Sequence, residues 1–548
     1  MVLNGSQIIA RALKRMGVDD FFFIMGGPML LVESECIDQG LRAIDVRHEQ
    51  AAAMMAHAYA RLQNRPSVCM AASGPGVTNL ITGVAHAWAD CTPVIALGGS
   101  APYGTKGNGA FQEIDQLAMM EPCTKWAERV YDPARIPELI NKAFQQSMSG
   151  KPGPVYLDFP GDVLYRDVDV DTIHWPEPWT PEKRAKPQAN DADIAAIMAK
   201  LETAERPVII SGSGIQWGAA EGELQAFVEQ AGIPFYTTPQ SRGVIAEDHE
   251  FCYLTARSSA FREADLIMVL GTRMNYVIGH AAPPRFNADA TLVRIDIDPT
   301  EIDTSPRVDI GVVADIKVAL GQLIAACDGK ISPATYQSWR DRLAGTNASK
   351  VAEQEKVLAN DATPIHPLRL CKEVGDFLDR DAVLVVDGQE ILNYGRQSIP
   401  TFTPRHRINS GCFGTMGVGL PFGVGAKIAK PDNQVLVLHG DGSFGLNAME
   451  MDSCVRHGVP ITVVISLNGG WTADPDRDKP GRDLGYKRYD LMAEAFGCHA
   501  EYVESPDDIR PALKRAAEAN AAGKPALVNV VTDHTARATT TAFTRYTT

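Results

Sequence analysis

Short apolar runs alternate with amphipathic segments along most of the chain, a pattern typical of α/β domains with parallel sheets. In residues 1–165 the runs that predict strands are Phe21–Met25, Ala43–Val46, Ser67–Ala72, Val94–Gly98 and Val155–Phe159. The segments that predict helices between them are Gln7–Met16, His48–Arg61 and Val77–Ala89. Because the strands are continuous apolar runs, we expect a sheet that is covered by helices on both faces.

The same pattern recurs twice, so we predict three successive doubly wound α/β domains with parallel sheets. The further predicted strands are Pro207–Ser211, Leu266–Leu270, Leu292–Ile297, Val383–Val386, Val435–Leu438, Thr462–Leu467 and Leu527–Val531. Polar stretches without a sustained period, at 166–190 and 346–364, are predicted linkers. The predicted domains are therefore 1–165, 191–345 and 365–532, and a tail follows at 533–548.

Composition narrows the class of protein. The chain has 548 residues, of which 45% are hydrophobic, and a formal net charge of −15. This acidity argues against nucleic acid or an anionic membrane as the main partner. No apolar stretch approaches the roughly 18 residues of a membrane span. Ten cysteines without a C-x-x-C pair, mostly in apolar runs, indicate reduced core thiols and a cytoplasmic protein.

The segment from Gly440 to Gly470 has the pattern of a strand, a tight turn, a helix and a second strand. Asp441 leaves the first strand between two glycines, and Asn468 leaves the second strand at its C-terminal end. In a βαβ unit both strand ends lie at the same edge of the sheet, where ligands of α/β proteins bind. A carboxylate, an amide oxygen and a nearby carbonyl form a hard-oxygen set that suits Mg²⁺ or Ca²⁺ bridging a diphosphate.

This spacing resembles the diphosphate-binding motif of enzymes that use thiamine diphosphate (ThDP). The resemblance implies Mg²⁺ as the metal, with Asp441, Asn468 and the carbonyl of Gly470 as its ligands. It also implies cofactor contacts from the rest of the turn, namely Gly440, Gly442 and Ser443. The first asparagine of the family's Asn-Asn pair is Leu467 in this chain, but the ligand is the second asparagine, which is present.

Two other segments resemble the same family. Arg47-His48-Glu49 is similar to the segment whose glutamate contacts the cofactor's pyrimidine ring and promotes its activation, which implies this catalytic role for Glu49. The loop Gly411–Gly419 resembles the family's loop in which the carbonyl at Gly414 receives the 4′-amino group and Met416 wedges between the two rings. The resemblance extends to further expected cofactor contacts, which are Pro28, Ser73 and Asn79.

The match covers all three domains in the family's order, which is pyrimidine-binding, central and diphosphate-binding. In that family the cofactor lies between subunits. The resemblance therefore implies that Glu49 of one chain faces Asp441 of another, in a homodimer at minimum and in a homotetramer as the expected assembly.

Three places favour one branch of the family, that of 2-hydroxyacyl-CoA lyases and oxalyl-CoA decarboxylases. The loop Ile24–Pro28 lacks the histidines that benzaldehyde lyase carries there. The central segment from Tyr253 to Asp303 resembles that of the CoA-using branch. Phe111-Gln112 resembles the lyases, since oxalyl-CoA decarboxylase has Tyr-Glu at these positions, although acetolactate synthases share Phe-Gln.

The resemblance to the CoA-using branch implies a set of substrate contacts. Arg257 and Arg273 would pair with CoA phosphates, and Asp296 or Asp298 with a ribose. The central domain would therefore hold the ADP part of CoA, and free ADP is a candidate ligand of the same domain. Gln112 would orient the substrate oxygen, and Phe111 and Trp471 are candidate apolar walls. FAD is not expected, because the Gly-Met-His-Gly element of FAD-containing acetolactate synthases is absent.

The last sixteen residues contain seven threonines together with Arg537 and Arg545. In the CoA-using branch the C-terminal segment closes over the active site. The resemblance therefore favours a tail that orders over bound CoA and excludes water, whereas a frayed terminus is the alternative.

The sequence as a whole favours a ThDP- and Mg²⁺-dependent carbon–carbon lyase. It would cleave a 2-hydroxyacyl-CoA between C1 and C2 into formyl-CoA and an aldehyde or ketone, or run the reverse condensation. The alternatives are an oxalyl-CoA decarboxylase, an acetolactate synthase-like enzyme that acts on 2-oxoacids without CoA, and a non-catalytic protein of this fold.

Overall fold

Each of the three predicted domains contains one parallel β-sheet. The structure, a computed structural model, describes residues 1–305, 307–471 and 476–538. In the first sheet, alternate residues of a strand enter different cores: Phe22 packs in one hydrophobic cluster, and Phe21 and Phe23 pack in another. Both faces of the sheet are therefore buried, and the prediction of doubly wound α/β domains is confirmed.

The first domain has the strands β1 Val2–Asn4, β2 Asp20–Phe23, β3 Arg42–Asp45, β4 Ser67–Ala71, β5 Val94–Ser100, β6 Trp126–Arg129, β7 Val155–Pro160 and β8 Asp167–Asp169. Its helices are α1 Gly5–Arg15, α2 Leu30–Asp38, α3 Glu49–Gln63, α4 Pro75–Ala89, α5 Gln116–Met120, α6 Ile136–Met148 and α7 Gly161–Tyr165.

The central domain has the strands β9 Pro207–Ser211, β10 Phe235–Thr237, β11 Leu266–Leu270, β12 Thr291–Asp296 and β13 Ile310–Val313. Its helices are α8 Asp191–Thr203, α9 Ser213–Trp217, α10 Glu221–Ala231, α11 Arg257–Glu263, α12 Pro299–Asp303, α13 Ile316–Cys327 and α14 Gln337–Leu358.

The third domain has the strands β14 Val383–Asp387, β15 Arg407–Asn409, β16 Val435–Gly440, β17 Thr462–Leu467, β18 His499–Val503 and β19 Ala526–Val531. Its helices are α15 Pro367–Phe377, α16 Glu390–Ser398, α17 Gly419–Ala429, α18 Asp441–Asn447, α19 Glu450–Arg456, α20 Tyr489–Ala495 and α21 Pro506–Ala521.

The first and third sheets have the same topology. Their strand orders are β3-β2-β4-β5-β7-β6 and β15-β14-β16-β17-β19-β18, and the central sheet has the order β10-β9-β11-β12-β13. In each sheet the chain starts at an inner strand, adds one strand on one side and then continues on the other side. This reversal opens a crevice in each sheet, where α/β proteins bind ligands. The crevices lie at the carboxyl ends of β2 and β4, of β9 and β11, and of β14 and β16.

The first and third domains pack directly against each other within one chain. Helices α3 and α17 approach so closely that a Cβ atom on Gly425 would lie 2.3 Å from the carbonyl oxygen of Met55. Residues of both helices belong to one hydrophobic cluster. The N-terminus of α3, which is Glu49, is therefore anchored against the third domain.

The two predicted linkers contain more regular structure than their composition suggested. In the first, β8 pairs antiparallel with β1. In the second, residues up to Leu358 continue the 22-residue helix α14, whose Trp339 donates a hydrogen bond to the carbonyl of Pro207. Few of the α14 side chains are buried, so the polar sequence covers the outside of a helix.

The ten cysteines are all free, and eight of them are buried. This agrees with the prediction of reduced core thiols. None of the helices in the described ranges combines the length and the apolar character that crossing a bilayer requires.

Glu33 on α2 is a buried carboxyl group without compensation. It is 3% exposed, and neither oxygen has a hydrogen-bond partner among the described residues. Burial raises the pKa of Glu33 to about 8. A buried neutral acid of this kind makes stability depend on pH.

We predict that the free energy of unfolding falls by about 1.4 kcal/mol per pH unit between roughly pH 5 and 8 because of Glu33. In this range the unfolded chain has released the proton that the folded chain retains, so unfolding releases a proton. Urea denaturation of Glu33→Leu should show a slope reduced by this amount, whereas Glu35→Gln on the same helix should keep it. An unchanged slope in Glu33→Leu would contradict the assignment.

Candidate functional site

The crevice of the third sheet lies where β14 and β16 end. Gly388 follows β14 with a φ of +125°, and a Cβ atom on it would lie 3.1 Å from the backbone nitrogen of Gly440. Only glycine tolerates this conformation and this contact together. The two strand ends are thus held together directly before the turn at Asp441.

Asp441 is the first residue of α18 and is 3% exposed. Its Oδ1 accepts a hydrogen bond from the Gly442 nitrogen at 2.9 Å, while Oδ2 has no partner in the described part of the chain. Burial raises the pKa of Asp441 to about 6. A buried carboxylate oxygen without a partner is expected to have a ligand of its own, and a cation suits it.

Asn468 and Gly470 follow β17, next to Asp441 in the sheet order. The Asn468 side-chain oxygen accepts a hydrogen bond from the Gly470 nitrogen at 3.2 Å, across a turn in which Gly469 has a φ of +77°. No group of three His, Cys, Asp or Glu residues that would bind a metal exists in the described ranges. One carboxylate with amide and carbonyl oxygens is the donor set that Mg²⁺ accepts, so these residues fit Mg²⁺.

The N-terminus of α18 is covered by one aromatic ring. A Cβ atom on Gly442 would lie 2.7 Å from the Trp471 ring. Ser443 donates a hydrogen bond to the Gly440 carbonyl at 3.0 Å. The predicted substrate contact Trp471 therefore packs on the predicted diphosphate turn itself.

A buried polar pair lies below this turn, and the sequence analysis missed it. Asp387 and His439 are fully buried and paired in the register of β14 and β16. The Nδ1 atom of His439 lies 2.9 Å from the Ser443 hydroxyl and 3.8 Å from Asp387 Oδ2. Burial raises the pKa of Asp387 to about 6 and lowers the pKa of His439 to about 3. The sequence signal for this pair is a polar residue near the end of each apolar strand, Asp387 in β14 and His439 in β16.

The crevice of the first sheet brings other predicted residues together. Glu49 is half-buried, and its Oε2 accepts a hydrogen bond from the Asn79 amide at 2.9 Å. Ser73, after β4, lies 3.2 Å from the Gly27 carbonyl, directly before Pro28. Glu49, Asn79, Ser73 and Pro28 thus all belong to loops or helix starts at the carboxyl edge of this sheet.

The Phe111-Gln112 loop closes over the same crevice. Ser73 donates a hydrogen bond to the Gln112 side-chain oxygen at 2.7 Å, and a Cβ atom on Gly74 would lie 2.5 Å from the Gln112 carbonyl. The side-chain nitrogen of Gln112 has no hydrogen-bond partner among the described residues. Phe111 is 85% exposed in the single chain, so its predicted role as a wall has no support from packing within this chain.

The loop that carries Gly414 and Met416 is fixed at both ends by other elements. Asp90, at the end of α4, accepts a hydrogen bond from the Cys412 nitrogen at 3.3 Å. At the far end, the Asn447 amide donates to the Gly417 carbonyl at 2.6 Å. Gly414 is exposed, and Met416 is half-buried.

The central-domain crevice opens into a cavity of about 110 Å³. Asp296, at the end of β12, lines it together with Arg273, and burial raises the pKa of Asp296 to about 6.

Two other predicted CoA contacts of this crevice bind the first domain instead. Arg273 donates to the Ala89 carbonyl and lies 2.7 Å from the Cys91 sulfur. Asp298 caps α12 and pairs with Lys151 at 2.6 Å. Arg273 and Asp298 therefore join domains, which leaves Asp296 as the freer acceptor.

Arg257 lies elsewhere, among other arginines. Burial and the charge of Arg257 lower the pKa of Arg285 to about 10, and burial with the charges of Arg242 and Arg257 lowers the pKa of Arg396 to about 10. Glu247 is the nearby carboxylate, and it pairs with Arg242. We call Arg257, Arg285 and Arg396 the arginine cluster. The sequence analysis found only Arg257, because the three residues come from distant segments.

The tail is described only as far as Ala538. The Ala538 nitrogen donates to Glu390 Oε2 at 2.7 Å, which brings the tail to the start of α16. Arg537 donates to the carbonyls of His534 and Ala536 and makes no contact with the other predicted substrate residues. Arg545, the second predicted contact of the tail, lies outside the described residues.

The predicted residues therefore form separate groups within one chain: the Glu49 group, the Asp441 group, the Gly414–Met416 loop and the central crevice. Glu49 shares no hydrogen bond or ion pair with the Asp441 group. The prediction that these two groups meet across a subunit interface stays a prediction.

The chain is similar to known proteins over nearly its whole length. Three family models match: the thiamine pyrophosphate enzyme N-terminal TPP binding domain at residues 3–119, the central domain at 194–323 and the C-terminal TPP binding domain at 392–530. An acetolactate synthase large subunit of Mycobacterium tuberculosis is 34% identical, with 97% of this chain and 96% of the relative covered.

Two CoA-using enzymes are similar over the same length. A 2-hydroxyacyl-CoA lyase of Arabidopsis thaliana is 31% identical, with 97% of this chain and 96% of that protein covered. An oxalyl-CoA decarboxylase of Escherichia coli is 30% identical, with 97% and 95% covered.

Substituting Asp441 by alanine should weaken Mg²⁺-dependent ThDP binding by roughly 100-fold, because the buried carboxylate is the only anionic member of the metal donor set. Titration calorimetry with ThDP at saturating Mg²⁺ measures the effect. Asp483→Ala, which removes a nearby exposed carboxylate, is the matched control and should bind normally. Equal affinities of the two variants would refute the metal site.

Proposed function

Since the chain belongs to the thiamine diphosphate-dependent enzymes, in the superfamily of 2-hydroxyacyl-CoA lyases, oxalyl-CoA decarboxylases and acetolactate synthases, we propose that it is a 2-hydroxyacyl-CoA lyase. It would cleave the C1–C2 bond of its substrate to give formyl-CoA and an aldehyde or ketone, or catalyse the reverse condensation. ThDP and Mg²⁺ are the cofactors of the family.

The arginine cluster is the observation that carries this proposal. Arg257 is exposed and has no hydrogen bond or ion pair in the described part of the chain, whereas Arg396 Nε is buried without a partner there. Glu247 is already bonded to Arg242 and to the Thr401 nitrogen. Arg285 donates to the Val277 carbonyl at 2.8 Å, and none of the three arginines has a carboxylate partner in the described part of the chain. Arginines without a carboxylate partner favour an anionic ligand, and the phosphates of CoA provide one.

The cluster is joined to the predicted cofactor loop. Burial raises the pKa of Tyr276, and the positive charge of the nearby Arg396 opposes this rise. The Tyr276 hydroxyl donates a hydrogen bond to the Cys412 carbonyl at 2.9 Å. A ligand with its phosphates at the cluster would therefore extend its acyl arm toward Gly414 and Met416. The cavity at Asp296 is a separate candidate site for ADP.

The chain's own residues supply positioning and proton handling. When bound, ThDP supplies a nucleophilic carbon and an electron sink for carbon–carbon cleavage. Oε2 of Glu49 is bonded to the Asn79 amide. The other oxygen, Oε1, would share a proton with the pyrimidine nitrogen of the bound cofactor. The side-chain oxygen of Gln112 is bonded to Ser73. Its side-chain nitrogen is left to donate a hydrogen bond, and it would donate to the substrate oxygen.

A homodimer is part of the proposal. Several large apolar side chains near the two predicted halves of the cofactor site are exposed in the single chain: Met25, Leu30, Phe111, Phe413, Leu446 and Met449. A second copy that covered them would remove this apolar surface from water and bring Glu49 to the partner's diphosphate turn.

An acetolactate synthase-like enzyme is the second candidate. The relative of that name is the most identical of the three described above, and Phe111-Gln112 fits both kinds of enzyme. The two candidates are distinguished by incubating the protein with ThDP and Mg²⁺ and with either 2-hydroxyacyl-CoA substrates or pyruvate, and by measuring which substrate is consumed. We expect formyl-CoA from the thioesters. Consumption of pyruvate without turnover of any thioester would reject the lyase proposal.

Substituting Arg257 or Arg396 by glutamine should raise KM for the thioester by about 10-fold or more while kcat changes less, because a charge-assisted hydrogen bond contributes about 1.5–3 kcal/mol. Steady-state kinetics measure both constants. Arg380→Gln, an exposed arginine paired with Asp248, is the control and should behave like the wild type. Unchanged KM in both cluster variants would favour the CoA-free alternative.

A further inference from the structure

The segment around Glu49 is held by the third domain of the same chain, through the backbone of Arg47 before it and the side chain of Gln50 after it. The Arg47 nitrogen donates to Glu450 Oε1 at 2.9 Å, and the Gln50 side chain donates to Asn447 Oδ1 at 2.9 Å. Glu450 is the first residue of α19, and Asn447 is the last residue of α18. Glu49 therefore has a fixed contact on each side.

Glu450 is built into this position. It is 1% exposed, and its second oxygen, Oε2, accepts a hydrogen bond from the Ser453 hydroxyl at 2.7 Å. The carboxylate thus binds the backbone N–H group of Arg47, which precedes α3, although it comes from about 400 residues away in the sequence.

Asn447 makes a second connection. Its oxygen accepts from Gln50, and its nitrogen donates to the Gly417 carbonyl at 2.6 Å. One amide therefore links the segment of Glu49 to the loop that carries Met416. An amide with both its oxygen and its nitrogen bonded has a fixed orientation.

The outer contacts of the same segment differ in kind. Arg456 and His457 bind Asp45 at 2.6 Å and 2.7 Å, and the Arg47 guanidinium lies 3.5 Å from Asp452. These contacts join partly exposed side chains. Arg456 and His457 also lie within hydrogen-bond distance of the Asp45 carbonyl, whereas Glu450 binds the Arg47 nitrogen, which lies closer to Glu49.

We propose that Glu450 and Asn447 are positioning residues, which fix the direction of the Glu49 carboxylate through the Arg47 backbone before it and the Gln50 side chain after it. This inference rests on the proposed role of Glu49. Packing of α3 against α17 holds the helix whether or not Glu450 is present, so loss of Glu450 frees the Arg47 nitrogen without detaching α3. A displacement of about 1 Å at a proton-transferring carboxylate is enough to slow a reaction by roughly 100-fold.

The test separates positioning from folding and from cofactor affinity. In Glu450→Ala we expect ThDP affinity, from titration calorimetry with Mg²⁺, to change by less than about 3-fold. The exchange of the cofactor's C2 proton for deuterium, followed by NMR after acid quench, should slow by about 10-fold to 100-fold. Glu450→Gln keeps an acceptor oxygen and should recover most of the rate. Asp452→Asn, which alters contacts with the side chains of Arg47 and Arg456 and leaves the bond from Glu450 to the Arg47 backbone in place, should exchange at the wild-type rate.

A double-mutant cycle decides whether Glu450 acts through Glu49. In the Glu49→Gln background, Glu450→Ala should produce no further loss of exchange. Additive losses, or a loss of ThDP affinity as large as the loss of exchange, would overturn the proposal. If Glu450→Ala does not fold, Gln50→Leu removes the Asn447 contact instead and should slow exchange with affinity retained; a normal exchange rate in that variant would overturn the proposal.

The control for the underlying function is the single variant Glu49→Gln. Normal exchange in this variant would refute the role of Glu49 and, with it, the inference about Glu450. This outcome is distinct from additivity in the cycle, which would leave Glu49 catalytic and reject Glu450 alone.

Discussion

The buried carboxylate of Asp441 is the constraint on which the site depends. One of its oxygens is bonded to the first turn of α18, and the other has no partner among the described residues. A burial of this kind is costly unless a cation arrives. The close contact of Gly388 with Gly440 and the turn at Gly469 place backbone and amide groups around this carboxylate. The predicted diphosphate end of the cofactor site is therefore a product of sheet topology.

The same helix extends this constraint to the first domain. Asp441 begins α18, and Asn447 ends it, about 9 Å further along the axis. Asn447 and the following Glu450 then hold the segment of Glu49. The turn at Asp441, where we predict the metal, and the segment of Glu49 are therefore attached to opposite ends of one short helix. The identical strand orders of the first and third sheets make this arrangement possible, because both sheets present their crevices at carboxyl edges.

Local patterns in the sequence were sufficient for the fold class and for residues at strand ends. Strand β17 was predicted with its observed bounds, and Asp441 and Asn468 were placed at turns where the structure has them. Packing between distant segments was not predictable. The sequence offered no sign that Arg273 would bind the Ala89 carbonyl or that Arg285 and Arg396 would gather near Arg257. Polar composition also concealed α14, since a helix with few buried side chains lacks a strong apolar period.

The central claim is that this ThDP enzyme accepts a CoA thioester through the arginine cluster. Titration of the ThDP- and Mg²⁺-loaded enzyme with CoA in a calorimeter tests it most directly. The account predicts saturable binding of one CoA per chain that weakens as salt concentration rises, because phosphates pair with arginines. Absence of binding at millimolar CoA, in an enzyme that turns over pyruvate, would contradict it.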